Sequence, residues 1–454
     1  MRDLIFFLAF LILFFFSLRR PFIAVSLWLW SGLFVPVYWL YGFASHISYN
    51  SIFAATTIIG YLIYRGKPAF KINPVFFVVI IFFLHTCLTS IFALAPAIIV
   101  KIDLIDFSKA ILLFIFISLI LRKRHHFNLF LWVFVLSIGF MGFVEGLKFI
   151  ASAGGHRING PSGNILSDNN HMAVAMCMTI PFIIYLTGET KEKLIKFGLR
   201  MMLLMCIIAV LGTFSRGGLI GLTIILGYFW LKSRHKIRSI FVLILAATLA
   251  YNFLPQSWYN RMDTIDNAMA DGSFTTRVNS WKIHTLMALD RPLIGGGFKG
   301  PQVSYVWRML AVDIDKFDFI RTPPPGDKGW AAHSIYFQVL GDQGFLGLFW
   351  FLLFILLAFL RLSSIERYFA KSAGKESWQC LLAGMTKISI LAYCVSGAAL
   401  SLAYLEMFYA ILAVVVCLDQ VMKQSVANEK TTHPTGHPAE HQSASMANGV
   451  HHEA

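Results

Sequence analysis

The sequence is poor in charged residues. Only 13% of its 454 residues are Asp, Glu, Lys or Arg, whereas a soluble domain carries about 25%. Hydrophobic residues make up 57% of the chain. A soluble core does not require so much apolar surface, so this composition excludes an ordinary globular protein.

The chain also lacks the alternating segments of a membrane β-barrel. Runs such as residues 4–18 and 345–360 are apolar at almost every position, and barrel strands alternate instead. Because about 20 apolar residues span a bilayer, these recurring runs predict an all-α polytopic membrane protein with roughly 12–13 transmembrane helices. We predict helices at residues 4–17, 21–44, 51–64, 75–95, 104–121, 128–150, 171–187, 197–213, 217–231, 238–253, 335–360, 381–401 and 404–420.

Cysteine is absent from the one long polar segment, residues 254–334. All six cysteines lie in or beside apolar segments. This placement excludes a disulfide within the polar segment and is typical of small packing residues.

The net charge of +15 is distributed in short basic clusters that fall in alternate connections between the predicted helices. This pattern indicates membrane sidedness and not a nucleic-acid partner. The positive-inside rule places the clusters on the cytoplasmic face of the membrane and the long polar segment on the opposite face. The basic residues concerned are Arg19, Arg20, Arg65, Lys67, Lys71, Arg122, Lys123, Arg124, Lys191, Lys193, Lys196, Lys232, Arg234, Lys236, Arg238, Arg361, Arg367, Lys371 and Lys375.

The pattern divides the chain into four parts. Residues 1–253 and 335–422 form two sets of transmembrane helices, and residues 254–334 form a non-cytoplasmic loop with short helices. Residues 423–454 are rich in His, Ser, Ala and Thr and have too little apolar surface to fold alone. They are predicted to be a disordered cytoplasmic tail.

Arg216 is the clearest candidate for a functional cation. It lies in Thr-Phe-Ser-Arg-Gly-Gly between two apolar helices, on the face away from the basic clusters. A charge near lipid is costly, so Arg216 is either a snorkelling turn residue or part of an anion site at the start of a helix.

The long loop carries two further cations. Residues 271–282 are typical of a turn followed by an amphipathic helix that bears Arg277 and, one turn later, Trp281. Arg291 precedes a Gly295–Gly297 turn. A glycine-cradled phosphate is one interpretation of that turn, but a plain turn is favoured because no Lys-Ser/Thr follows.

The loop ends with the most informative pattern. His333 and Ser334 are followed by nine residues and then by Gly344-x-x-Gly347, which enters a helix of almost wholly apolar residues. This spacing places His333 at the outer membrane boundary, where a neutral imidazole beside cations can serve as a base.

These motifs resemble the O-antigen ligase and Wzy-polymerase-related superfamily of bacterial membrane glycosyltransferases. The His-[Asn/Ser/Gln]-x9-Gly-x-x-Gly, Ser-Arg-Gly-Gly and Arg-x-x-x-Trp elements carry the resemblance. The chain looks most like the O-glycosylation ligases associated with exosortase A systems. That closer likeness extends over residues 1–360 and includes Met-Arg-Asp-Leu at the start and Asp168-Asn-Asn-His171.

The resemblance implies a metal-independent, GT-C-like enzyme without cofactors. It would move a preassembled glycan from undecaprenyl diphosphate to a hydroxyl of a protein or glycolipid acceptor at the periplasmic face. Arg216 and Arg277 would bind the lipid diphosphate, and His333 would deprotonate or orient the acceptor hydroxyl. His171 departs from the subfamily pattern, which often has a small or apolar residue there, so it receives little catalytic weight.

Several other polar residues are weaker candidates. Arg157, Arg291, Trp281 and Ser334 are predicted to contact substrate from the outer face. Asp313 and Asp315 have the spacing of a metal-binding pair, but their charged neighbours favour a solvated surface. Glu145 with Lys148, Glu406 and His85 each have a structural interpretation, as an ion pair or as interhelical hydrogen-bonding groups.

Three functions remain open at this point. A ligase transfers a complete glycan to an acceptor, and a Wzy-type polymerase joins repeat units on the same lipid carrier. A transporter or flippase is the third, less favoured because no internal repeat is evident and the candidate charges lie at the boundary and not at the midplane.

Overall fold

The computed structural model shows an all-α architecture for the part of the chain that it describes, residues 2–238, 272–317 and 319–432 with single residues between 240 and 259. The helices are α1 (Arg2–Arg19), α2 (Pro21–Phe34), α3 (Tyr49–Ile63), α4 (Pro74–Ile91), α5 (Ala97–Ile120), α6 (Arg124–Ala151), α7 (Asn169–Glu189), α8 (Lys193–Gly212), α9 (Arg216–Lys232), α10 (Gly272–Asp290), α11 (Ser304–Ala311), α12 (Ile335–Ser372), α13 (Trp378–Ser396) and α14 (Glu406–Thr432). The all-α class predicted from the apolar runs is confirmed.

Several predicted helices have different ends in the structure. Helix α5 begins at Ala97, before the expected residue 104, and α12 runs to Ser372, beyond the expected residue 360. The helix expected at residues 21–44 ends at Phe34, because Val35 is left-handed and Pro36 follows it, and 3-10 turns continue the chain. The last helix runs to Thr432, beyond the expected end at residue 420. Most of the expected helix at residues 238–253 and the tail beyond residue 432 lie outside the described residues.

Seven of the described helices are long and apolar enough to cross a membrane. They are α4, α6, α7, α8, α12, α13 with its 3-10 extension, and α14. The chain is therefore a multi-pass membrane protein. The predicted total of roughly 12–13 also counted shorter or more charged helices. Of these, α2 and α3 are apolar but shorter than 18 residues, and α5 carries charges including Asp103 and Asp106.

Helix α14 is the core of the bundle. Every residue from 407 to 418 exposes at most 1% of its surface, as expected for a helix that is apolar on all sides and surrounded by others. It packs against α4, α5, α12 and α13. At its far end the buried Asp419 accepts a hydrogen bond from Asn73 and pairs with Lys423 at 2.8 Å.

Several of the basic clusters meet in the structure. Arg19 and Arg20 share a cavity with Arg122 and Lys123, and Lys232 shares another with Arg367 and Lys375. Charges that are far apart in the sequence therefore lie close together in the structure.

Helix α12 is broken at Gly344, the first glycine of the His-[Asn/Ser/Gln]-x9-Gly-x-x-Gly motif. Its φ of 70° and ψ of −173° belong to a region that is open essentially only to glycine. The break frees carbonyl groups of the preceding turn from helical hydrogen bonds. In a membrane protein those carbonyls need partners from elsewhere in the chain.

The Gly295–Gly297 turn supplies these partners. The N–H groups of Gly296 and Gly297 donate to the carbonyls of Gly341 and Asp342 at 2.9 and 2.8 Å, and Phe345 N–H donates to Pro292 O at 2.8 Å. A Cβ on Gly295 would lie 2.6 Å from the Gly341 carbonyl oxygen. The turn is therefore a docking element between α10 and α12, which agrees with the plain-turn interpretation.

We expect Gly344→Ala to destabilise the protein. The variant would place a side chain in a glycine-only conformation, with its Cβ 2.5 Å from the Pro292 carbonyl oxygen, at a cost of about 1–3 kcal/mol for the backbone alone. The thermal unfolding midpoint in detergent, monitored by size-exclusion chromatography, should fall by several degrees. Gly188→Ala, at a helical position with open space around the added Cβ, is the matched control. Equal midpoints for both variants would contradict the assigned role of the break.

Candidate active site

His333 lies on a strained turn directly before α12. Its φ of 47° is in the left-handed region, which is uncommon for residues other than glycine. Its N–H donates to Ser401 Oγ at 2.9 Å, so the α13–α14 connection holds the backbone in place. Such strain persists only where surrounding contacts determine it, and it is concentrated at functional sites.

Trp281 supports the same turn from the other side. Its indole Nε1 donates to the carbonyl of Ala332 at 2.8 Å, and its ring stacks on Phe337 with centroids 5.2 Å apart. Trp281 therefore positions the residue next to His333. This contact gives the Arg-x-x-x-Trp spacing a physical basis, because the indole anchors α10 and Arg277 lies one turn earlier.

Burial and the neighbouring cation Arg277 keep the imidazole of His333 neutral. Burial lowers the pKa of His333 below its ordinary value of 6.5, and the positive charge of Arg277 lowers it further. The carboxylate of Asp168 raises the pKa of His333, and His171 lowers it. At neutral pH the side chain is thus an unprotonated base beside a cation.

Arg216 begins α9 at the same end of the bundle. It follows the left-handed Phe214 and the N-cap Ser215, whose Oγ accepts the N–H of Gly218 at 3.1 Å. A Cβ on Gly217 would lie 3.2 Å from the carbonyl of Ser396. The glycines after Arg216 therefore allow α9 to approach the end of α13 closely, so the arginine and the histidine turn are positioned by the same segment, residues 396–401.

Residues at the start of α7 lie next to the Arg216 turn and act on His333. Asn169 donates to the carbonyl of Thr213 at 2.6 Å, next to the Arg216 turn. Asp168 caps α7 through the amides of Asn170 and His171. Burial acts to raise the pKa of Asp168, but His171 and the hydrogen bonds hold it below its ordinary value. A negative charge and a second imidazole therefore face His333, which sequence reasoning did not foresee.

The remaining predicted residues have different surroundings. Arg157 is exposed, and its neighbour Ile158 donates to the carbonyl of Gly212 near the Arg216 turn. Ser334 is buried at the N-cap of α12 and makes no capping bond. Arg291 donates from Nη2 to the carbonyl of Phe92 at 2.9 Å, at the end of α4. Through this contact Arg291 has a structural role, at a position away from the His333 turn.

A cavity of about 580 Å³ lies beside the His333 turn, with Ala331 and Ser401 in its wall. Its other lining residues are Ser31, Gly32, Val35, Asn50, Asp103, Asp106, Phe107, Lys109, Gly163, Asn164, Ile165, Phe298, Lys299, Gln302, Gln338, Asp342, Tyr404 and Glu406. Carboxylates, amides and aromatic rings thus line one space.

Two buried oxygens of this cavity have no hydrogen-bond partner among the described residues, Asp103 Oδ2 and Asp342 Oδ1. The lysines of the lining are already engaged, Lys299 with Asp103 and Lys109 with Asp106, each at 2.8 Å. The cavity therefore offers acceptors to hydroxyl groups. In the sequence, the signal for this cavity is the presence of carboxylates within apolar helices. Of these carboxylates, only Glu406 is among the candidates named from the sequence.

His284 is a further residue that sequence reasoning missed. It follows Arg277 by seven positions, two turns along the same helix face, and it is completely buried beneath Gly341. Its Nδ1 donates to the carbonyl of Ser280 at 2.8 Å. Burial lowers its pKa to about 4. His284 is therefore neutral at physiological pH and packs under the turn that precedes the α12 break.

The weaker candidates have structural partners. Glu145 binds Lys148 at 2.6 Å and His156 at 2.7 Å. His85 bonds with the carbonyl of Gln343 at 3.1 Å, so it is an interhelical hydrogen-bond partner, as predicted. Asp313 pairs with Lys316 on the surface.

Comparison with known families agrees with the motifs. Residues 201–352 match the model of the O-Antigen ligase family, and this range contains Arg216, Arg277 and His333. Residues 1–191 match a family of unknown function, DUF5935. No curated protein matches the chain. The first match supports the O-antigen ligase superfamily and a ligase-like or polymerase-like glycosyltransferase.

We expect Asp168→Asn to lower the pKa of His333 further, because the variant removes the carboxylate that raises it. Asn also caps helices well, so α7 should keep its start. Titration of the imidazole resonances by NMR, in protein labelled at histidine, measures the change. Asp313→Asn, at an exposed surface pair, should leave the titration unaltered. An upward shift in the Asp168 variant would show that the assigned electrostatics are wrong.

Proposed function

We propose that this protein is a glycosyltransferase that moves a preassembled glycan from undecaprenyl diphosphate to a hydroxyl-bearing acceptor, a protein or a glycolipid. The reaction would take place at the periplasmic face of a bacterial inner membrane, in a GT-C-like bundle. The observation that carries the proposal is the arrangement of His333, a neutral base on a strained turn, beside Arg277, with Arg216 positioned by the same α13–α14 connection.

The donor chemistry accounts for the arginines. A lipid diphosphate is already an activated leaving group, so the enzyme must chiefly stabilise the negative charge that develops on it. Guanidinium groups bind phosphate oxygens in a bidentate manner and lose no proton. Arg216 and Arg277 fit this role, because positive charge that is fixed in place before the reaction stabilises the charge that develops on the leaving group.

The acceptor chemistry accounts for His333. The acceptor oxygen would attack the anomeric carbon and form the new glycosidic bond, while the bond from that carbon to the phosphate oxygen breaks. The electron pair leaves with the lipid diphosphate, and the hydroxyl proton passes to the imidazole. A positioned base of this kind contributes typically 100- to 10,000-fold to the rate.

The cavity beside the turn gives room for sugar residues. Carboxylate oxygens such as Asp342 Oδ1 accept hydrogen bonds from hydroxyl groups, and its aromatic wall covers apolar sugar faces. The lysines in its wall are engaged with Asp103 and Asp106, whereas Arg216 and Arg277 would attract the diphosphate. This arrangement favours one orientation of a glycan-lipid donor, with phosphate at the arginines.

A Wzy-type polymerase would use the same donor and the same motif, and the family match includes both possibilities. We favour the ligase because residues 1–360 resemble the ligases associated with exosortase A systems. Products that form a ladder of increasing glycan length on the lipid carrier would decide for the polymerase. The transporter alternative receives less support, since the residues discussed converge at one end of the bundle.

We expect His333→Asn to lose transfer activity by about 100- to 10,000-fold, the contribution of a general base. Asn tolerates the left-handed backbone at this position, so the turn should persist. The assay measures glycan transfer from a purified undecaprenyl-diphosphate donor at matched expression. His46→Asn, an exposed histidine in a 3-10 turn, serves as the control. Full activity of the His333 variant would refute the site.

We expect Arg216→Lys to weaken catalysis as well, because an ammonium group cannot reproduce bidentate contacts with phosphate. The variant keeps the positive charge, so a loss in kcat/KM would identify geometry and not net charge as the requirement. The same transfer assay measures it. Arg367→Lys, at an exposed position on α12, should retain activity.

A further inference from the structure

A basic cavity lies away from the catalytic candidates, at the end of the bundle where the first three basic clusters meet. Its volume is about 370 Å³, and it is lined by Arg19, Arg20, Pro21, Phe22, Tyr61, Tyr64, Gly66, Pro68, Ile120, Arg122, Lys123, His125 and His126. Four of these residues are arginine or lysine, and none of the described lining residues is Asp or Glu. The space is therefore suited to an anion.

Arg122 is the buried cation of this cavity. Only 8% of it is exposed, although it lies at the end of α5. Its Nη1 donates to the carbonyls of Ser118 and Leu121. Its Nε and Nη2 have no oxygen or nitrogen acceptor among the described residues, and the guanidinium lies near the thiol of Cys417 and the ring of Phe70. A buried guanidinium whose donors meet no strong acceptor is costly unless one reaches it, and phosphate oxygens have the matching geometry.

An apolar groove of about 600 Å³ continues this cavity between α1 and α3. Arg19, Pro21 and Tyr64 line both spaces. The other groove residues are Phe14, Leu18, Ile52, Ala55, Thr56, Ile59, Gly60, Ile63 and Arg65. Ile59 and Ile63 are 56% and 73% exposed. A groove of this length and polarity accommodates a hydrocarbon chain and not a free ion.

We propose that the basic cavity and the adjoining groove together form a site for an anionic phospholipid, with its phosphate at Arg122 and an acyl chain along α1 and α3. The site is separate from the proposed glycosyl transfer. The predicted topology places it in the cytoplasmic leaflet, whose anionic headgroups are attracted by juxtamembrane arginines and lysines. The lipid would join α1 to the rest of the bundle through charges that otherwise repel one another.

Native mass spectrometry of the full-length protein with phosphatidylglycerol and phosphatidylcholine tests the proposal. We expect phosphatidylglycerol to bind more tightly, and Lys123→Gln and Arg20→Gln each to weaken it by about fivefold, the contribution of one basic residue near the headgroups. Both side chains are exposed, so these variants should fold even if Arg122→Gln does not. Arg367→Gln, a basic residue outside the cavity, should not alter binding. Equal binding of the two lipids would overturn the proposal.

The groove gives an independent test that separates a lipid from a free phosphate. A Cβ on Gly60 meets no atom within 4 Å, so Gly60→Leu would fill the groove and leave the cations in place. We expect it to reduce phosphatidylglycerol binding, whereas Gly227→Leu, equally unobstructed on α9, should not. If inorganic phosphate displaces the lipid at millimolar concentration and Gly60→Leu has no effect, the site binds phosphate and the lipid proposal is wrong.

Discussion

The candidate site depends on one set of backbone hydrogen bonds, those that join the break in α12 to the Gly295–Gly297 turn. A helix in a membrane cannot be interrupted unless its freed carbonyls find donors. The amides of this turn provide them, and glycine is required on both sides because the two backbones approach more closely than a Cβ allows. The loop between the two sets of helices is thereby attached to the first turns of α12, directly after His333.

This attachment brings α10 against the histidine turn. Trp281 can then donate to the Ala332 carbonyl, and Arg277 lies close enough to His333 to lower its pKa. The α13–α14 connection holds the turn from the opposite side through Ser401. A strained base that is held from two sides keeps its position without substrate, and this preorganisation is what catalysis by a positioned group requires.

Different parts of the bundle carry different electrostatic environments. Beside the His333 turn lies a cavity lined by four acidic residues and two lysines, whereas the cavity around Arg122 has cations and no carboxylate among its described lining residues. Charges in and near a membrane are costly, so each group of like charges implies a counter-charge or a polar ligand. Sugars and a diphosphate fit the first environment, and an anionic headgroup fits the second.

The sequence by itself determined the all-α membrane architecture, because runs of apolar residues long enough to cross a bilayer leave few alternatives once every backbone group must be bonded internally. It also singled out Arg216, Arg277 and His333, since a charged or titratable residue at a helix end requires a reason. Only the tertiary structure decided which groups surround His333, among them Asp168, His171 and the buried His284. It likewise gave Arg291 a partner at the end of α4. Those contacts join residues that are far apart in the chain, and local patterns of hydrophobicity and charge carry no information about such pairs.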